Sequence, residues 1–87
     1  MEKGSRVGAI RNADKETVYL FGYGTYEGDE VPPVEVGGFL TEIGIENPKI
    51  VLDNGKVVWG CQCWWGSEEK TKRVIGNRKV EMVVDLQ

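Results

Sequence analysis

Lys49-Ile50-Val51-Leu52-Asp53-Asn54-Gly55-Lys56-Val57-Val58-Trp59 is the stretch on which the fold turns. Two runs of apolar and β-branched residues flank Asn54-Gly55. That dipeptide is the strongest short hairpin signal, because both residues accept the positive φ of a type I′ turn. A two-residue loop pairs Asp53 with Lys56, Leu52 with Val57 and Ile50 with Trp59. The hairpin then runs from Lys49 to Cys63. Ile50, Leu52, Val57, Trp59, Cys61 and Cys63 fall on one face, read as core. Lys49, Val51, Val58, Gly60, Gln62 and Trp64 fall on the other.

Upstream, Ser5 to Ala13 reads as a strand and Glu16 to Tyr23 as a second, joined by the polar turn Asn12-Ala13-Asp14-Lys15. In the second strand Tyr19, Phe21 and Tyr23 share one face, with Val18, Leu20 and Gly22 on the other. Gly22, Gly24 and Gly28 then mark a bent region. Val31-Pro32-Pro33 ends any ladder, since proline has no N–H to give. Residues 32–48 form a long connection of unassigned structure, with Phe39-Leu40 able to open a short turn. Such connections are often functional or interfacial. Downstream, Ser67 is a good N-cap and Glu68-Glu69 suit the positive end of a helix. A helix is predicted over 68–75, stopped by Gly76, with Thr71, Val74 and Ile75 toward the sheet. Glu68–Lys72 and Glu69–Arg73 are i,i+4 pairs in the favourable order. Lys79 to Leu86 is a last strand, with Val80, Met82, Val84 and Leu86 inward. The expected fold is a single mainly β domain. It is a small curled antiparallel sheet or partly open barrel of about five strands with one short C-terminal helix.

Eighty-seven residues bury only about 60% of their unfolded surface, so a second copy would help the core. A homo-oligomer is expected. The net charge of −3 argues against strong nucleic-acid binding, which rests on neutralising phosphates. No apolar run approaches a membrane span. Met1-Glu2-Lys3-Gly4-Ser5-Arg6 lacks the apolar region of a signal peptide, so a cytoplasmic location is expected. There is no histidine, which removes the commonest general base and metal ligand. Cys61 and Cys63 supply two of the four or so ligands that a zinc site needs. No metal and no cofactor is expected.

Trp59-Gly60-Cys61-Gln62-Cys63-Trp64-Trp65-Gly66 gathers every tryptophan and cysteine of the chain. It suits holding a flat molecule better than reacting with one. Gly22-Tyr23-Gly24-Thr25-Tyr26-Glu27-Gly28 superficially resembles a dinucleotide loop, but it runs into Asp29-Glu30-Val31-Pro32 instead of opening a helix. No nucleophile has an evident activator, so the chain reads as a binding protein and not an enzyme. A nucleotide site needs stacking, amides and positive charge. Tyr19, Phe21, Tyr23, Phe39, Trp64 and Trp65 offer stacking, Asn47 and Gln62 offer amides, and Arg6, Arg11, Lys49, Arg73 and Arg78 offer charge; the site is assigned to nine of these, Asn47, Phe39, Arg11, Phe21, Tyr23, Lys49, Trp64, Trp65 and Arg73. Each also has a plainer use: the aromatics as core, Asn47 before Pro48 as a turn residue, Arg73 as the partner of Glu69. Two rival readings stay open. One is a protein–protein inhibitor or adaptor with an aromatic hot spot. The other is a small β-barrel for single-stranded nucleic acid.

The blocks Gly22-Tyr23-Gly24, Tyr26-Glu27-Gly28, Val31-Pro32-Pro33, Asn47-Pro48-Lys49-Ile50, Leu52-Asp53-Asn54-Gly55 and Trp59 through Gly66 together resemble small bacteriophage accessory proteins. The chain is most similar to the first family of Thoeris anti-defence proteins, over residues 5–70. Asn-Pro-Lys and Trp-Gly-Cys are the more specific blocks. The resemblance implies a sponge in the host cytoplasm that sequesters a cyclic ADP-ribose isomer, or a cyclic oligonucleotide, without cleaving it. It implies an oligomer with ligand sites where subunits meet, and Asn47, after a loop carrying Phe39, as a base or ribose contact. The chain is short beside that family, whose members often have longer helical parts.

Overall fold

A computed structural model describes residues 1–83. The elements are β1 (Arg6–Ala13), β2 (Thr17–Glu30), α1 (Val34–Gly37), α2 (Phe39–Glu42), β3 (Asn47–Leu52), β4 (Val57–Trp59), a 3-10 turn (Gly60–Gln62), β5 (Trp64–Ser67), α3 (Glu68–Ile75) and β6 (Lys79–Met82). Asp14 closes the first hairpin. Its carboxylate accepts the backbone N–H groups of Glu16 and Thr17 at 2.8 and 2.7 Å, a side-chain-built turn of the Asx kind.

β2 is the hub. β1 pairs along one of its edges, and the other edge is shared. β3 takes the stretch from Gly24 to Glu30, and β6 takes Thr17 to Leu20. β5 extends the sheet beyond β1 and β4 extends it beyond β3, giving the order β4-β3-β2-β1-β5 with β6 beside β2. All pairings are antiparallel except β6 with β2, which is parallel. The protein is mainly β, as expected. It is one open sheet of six strands, and α1 and α2 add two helical turns to the expected helix.

Glycines bend this sheet. β1 and β2 slip register on either side of Ile10, and β2 and β3 slip between Tyr26 and Asp29. Gly22 and Gly28 take φ of 142° and 93° at these places, where bulges raise strand twist. Each face buries its own cluster. Val7, Ala9, Phe21, Tyr26, Ile50, Leu52 and Val58 pack on one side, with Cys63, Trp65 and Val83 against them. Ile10, Val18 and Leu20 pack on the other, under Ile75 of α3.

Four expectations are corrected. The 49–59 hairpin pairs Ile50 with Val58 and Lys49 with Trp59. Gly55 alone takes positive φ, and Leu52 and Lys56 close a three-residue loop through Leu52 N–H to Lys56 O at 2.8 Å. A one-residue slip exchanges faces, so Val58 is core and Val57 is exposed. The second strand of that hairpin stops at Trp59, where the Gln62 amide oxygen accepts the Trp59 N–H at 2.9 Å. The chain then turns and begins β5. The helix forms as predicted, with the Ser67 hydroxyl accepting the Lys70 N–H at 3.1 Å and Gly76 at φ 58°, but Val74 is exposed. In β6, Val80 and Met82 are exposed too; Val84, Asp85 and Leu86 lie outside the described residues. Among the described residues no helix is long and apolar enough to cross a membrane.

The Asp14 turn carries a pH prediction. Its two backbone hydrogen bonds hold the carboxyl below its ordinary value. A depressed carboxyl contributes stability above its unfolded pKa of about 3.9, and that share is lost as pH falls through the lower folded value. Thermal melts from pH 5 to pH 2 should therefore show an acid-side loss that Asp14→Asn reduces. Parallel curves for the two proteins would contradict it.

Candidate functional site

The face that carries α3 also carries the polar groups. Pair register puts Arg6, Gly8 and Ile10 of β1 on it, with Tyr23 and Thr25 of β2 and Trp64 and Gly66 of β5. α3 seats on Gly8, where a Cβ would stand 2.6 Å from the Thr71 methyl. Thr71 is fully buried and donates its hydroxyl to the Ser67 carbonyl at 2.8 Å.

A cleft of about 410 Å³ opens at the start of this helix, lined by Arg6, Ser67, Glu68, Glu69 and Lys72. That volume is within the range of small-molecule sites. Arg6 makes a fork with Asp53 at 2.7 and 2.8 Å and gives its Nε–H to Glu68 at 3.1 Å. The Asp53 carboxylate, then Glu68, holds the guanidinium proton more tightly than usual, and Arg6 lowers the Asp53 carboxyl in return. Lys72 Nζ lies 3.5 Å from Glu68 and 5.9 Å from the centre of the Tyr23 ring. Arg6 and Lys72 thus meet two carboxylates, Asp53 and Glu68, while Glu69 pairs with Arg73. An incoming phosphate would have to displace one of them.

The nine sequence-derived candidates do not converge on one point. Tyr23, Trp64 and Arg73 belong to the surroundings of α3. Trp64 is partly exposed, with its ring over Gly66, and Arg73 is paired with Glu69 at 3.1 Å. Phe39, Asn47 and Lys49 belong to the far end of β2 and β3. There Asn47 pairs in register with Glu30, and Lys49 Nζ is 3.5 Å from Glu30. Phe39 opens α2 and is 71% exposed. Arg11 is exposed at the β1 bulge. Phe21 is buried in the core, out of reach of a ligand. Trp65 stacks on Tyr26 with ring centres 5.3 Å apart, while the Tyr26 hydroxyl donates to Asp29 at 2.6 Å. The Arg6–Asp53–Glu68 constellation escaped the sequence reading. No local pattern announces it, because a strand start, a hairpin turn and a helix start meet only through the pairing of β5 with β1 and of β1 and β3 with β2.

The cysteines are free thiols. Cys63 points its Sγ at the Trp59 carbonyl, 3.4 Å away. Burial, and then the neighbouring Cys61, push its pKa up to about 12, so it stays protonated at neutral pH. Cys61 is exposed. Iodoacetamide at pH 8 should therefore alkylate the folded protein once, at Cys61, and Cys61→Ser should react only after unfolding. Equal labelling of both cysteines in the folded protein would contradict this. Among the described residues no three His, Cys, Asp or Glu side chains gather as a metal site would need.

One further surface stands out. Val31, Val34, Phe39, Leu40, Ile43 and Ile45 are all exposed, in a stretch that starts where β2 ends. Comparison of the chain with protein-family models, with curated proteins and with solved structures found no match.

Proposed function

We propose that this protein is a non-enzymatic sponge of the phage anti-defence type, which binds a nucleotide-derived immune signal and withholds it intact from its receptor. One observation carries the reading. The β2–β3 connection leaves the Phe39 ring in water and ends on Asn47 and Lys49, the block on which the resemblance rests. A base could stack on Phe39, with the Asn47 amide donating and accepting at its edge. Capture below a signalling threshold calls for nanomolar affinity, about −12 kcal/mol. Stacking adds about 1–3 kcal/mol per base, so charge-assisted bonds to phosphate must supply much of the rest. Lys49, now 3.5 Å from Glu30, is the cation of that block and would exchange the carboxylate for phosphate. The exposed apolar stretch favours a second reading, docking on another protein.

The test is release. The protein is purified from cells expressing a cyclic-nucleotide-producing immune enzyme, then denatured, and the supernatant is analysed by mass spectrometry. An intact cyclic nucleotide near one equivalent per site supports the sponge; an empty or hydrolysed supernatant defeats it. Asn47→Ala should weaken capture by about 1–3 kcal/mol, since a ligand group is left unpaired, and lower the melting temperature little. Unchanged affinity with a lowered melting temperature would make Asn47 a turn residue only.

A further inference from the structure

Three side chains share one face at the far end of β2 and β3. Asn47 pairs in register with Glu30, and Lys49, two residues along β3, lies on the same side as Asn47. Residues set diagonally across two strands stand about 7–8 Å apart. The carboxylates that end β2 differ in what they hold. Glu27 accepts the Thr25 hydroxyl at 2.8 Å, and Asp29 accepts the Tyr26 hydroxyl at 2.6 Å. Among the described residues Glu30 holds only the Lys49 ammonium, 3.5 Å away, and both side chains reach solvent. The Asn47 side chain makes no hydrogen bond among the described residues, so its amide is open to a ligand. We propose, on the strength of the nucleotide reading above, that Glu30 selects a ribonucleotide over its 2′-deoxy counterpart. Once a ligand phosphate takes Lys49, the Glu30 carboxylate is left without its counter-ion. An ionised carboxylate only accepts hydrogen bonds, and the ribose 2′-hydroxyl is a donor that deoxyribose lacks. The sugar ring separates that hydroxyl from a phosphate on C5′, as the diagonal separates Glu30 from Lys49. A hydroxyl bound to a carboxylate is a charge-assisted contact, stronger than a neutral one. A deoxyribose leaves the carboxylate near a phosphate with nothing to offset their repulsion. Lys49 admits the phosphate, and Glu30 then reads the sugar.

Calorimetry with two matched pairs of probes tests this: cyclic ADP-ribose against its 2′-deoxy analogue, and cyclic di-AMP against cyclic di-dAMP. The wild type should bind the ribose member of a pair about tenfold or more tightly than the deoxy member, as one charge-assisted bond supplies. Glu30→Gln keeps the shape and removes the charge. It should bring the two affinities within about threefold of each other, chiefly by tightening the deoxy member, since Lys49 then has no carboxylate to give up. Glu27→Gln alters a carboxylate already committed to Thr25 and should keep the wild-type preference. Equal binding of both members by the wild type overturns the proposal and leaves the nucleotide reading standing. A preference that survives in folded Glu30→Gln does the same. A wild type that binds no member of either pair defeats the nucleotide reading, and the role of Glu30 with it.

Discussion

Gly24→Ala should destabilise the fold by about 3 kcal/mol or more, the upper part of the range for overpacked sites. Gly24 lies in β2 opposite Val7 on one side and Leu52 on the other. A Cβ there would run into the Val51 carbonyl oxygen and stand 2.6 Å from Leu52 Cα. Both are backbone atoms of β3, so no rotamer change relieves the clash. Either β3 moves off β2 or the new methyl is compressed. Gly28 is the useful comparison, since a Cβ there meets the flexible end of Lys3 at 2.5 Å. It carries positive φ, so Gly28→Ala costs strain but leaves the strand pairing in place. Urea midpoints of the two variants give the answer. A Gly24→Ala midpoint equal to the wild type would mean that β3 does not approach β2 this closely.

Trp59→Ala should cost about 3–5 kcal/mol, the usual loss for a buried aromatic. The ring is only 8% exposed, although its strand position lies across from Lys49 and not among the core residues of β3. The backbone groups of Trp59 keep their partners in the variant, with N–H to Gln62 and carbonyl to Cys63. Most of the loss therefore comes from the vacated volume. Guanidinium unfolding followed by far-UV circular dichroism measures it. A loss under about 1 kcal/mol, the scale of a surface substitution, would place the indole in solvent.

The elements that the sequence made legible are those built from neighbours. Ser67, the two glutamates after it and Gly76 define α3 within ten residues, and the β1–β2 hairpin follows from its polar turn. The 49–59 hairpin was legible in kind but not in register. Asn-Gly permits two loop lengths, and the choice depended on whether Asn54 took positive φ; it does not. That single residue moved Val58 into the core and Val57 out. β5 was not legible, because Trp64–Ser67 becomes a strand by pairing with Val7–Ile10, a partner remote in sequence. For the same reason the Arg6–Asp53–Glu68 cluster was hidden, while the Glu69–Arg73 pair on one helix was plain. The aromatics divided by strand parity. Trp64 and Trp65 are neighbours on opposite faces, one partly in water and one on Tyr26.

The parallel seam between β2 and β6 bears on how the chain is made. Hairpins β1–β2 and β3–β4 can zip from their own turns as they emerge from the ribosome. The outer edge of Thr17–Leu20 has to wait for Lys79–Met82, a partner far along the chain. Contacts of such separation are slow to close, and an unfilled strand edge invites pairing with other chains. The hub strand therefore stays half-dressed until Lys79–Met82 have been made. Trimming the C-terminus into residues 79–83 should send the product to the insoluble fraction well before it harms any binding surface.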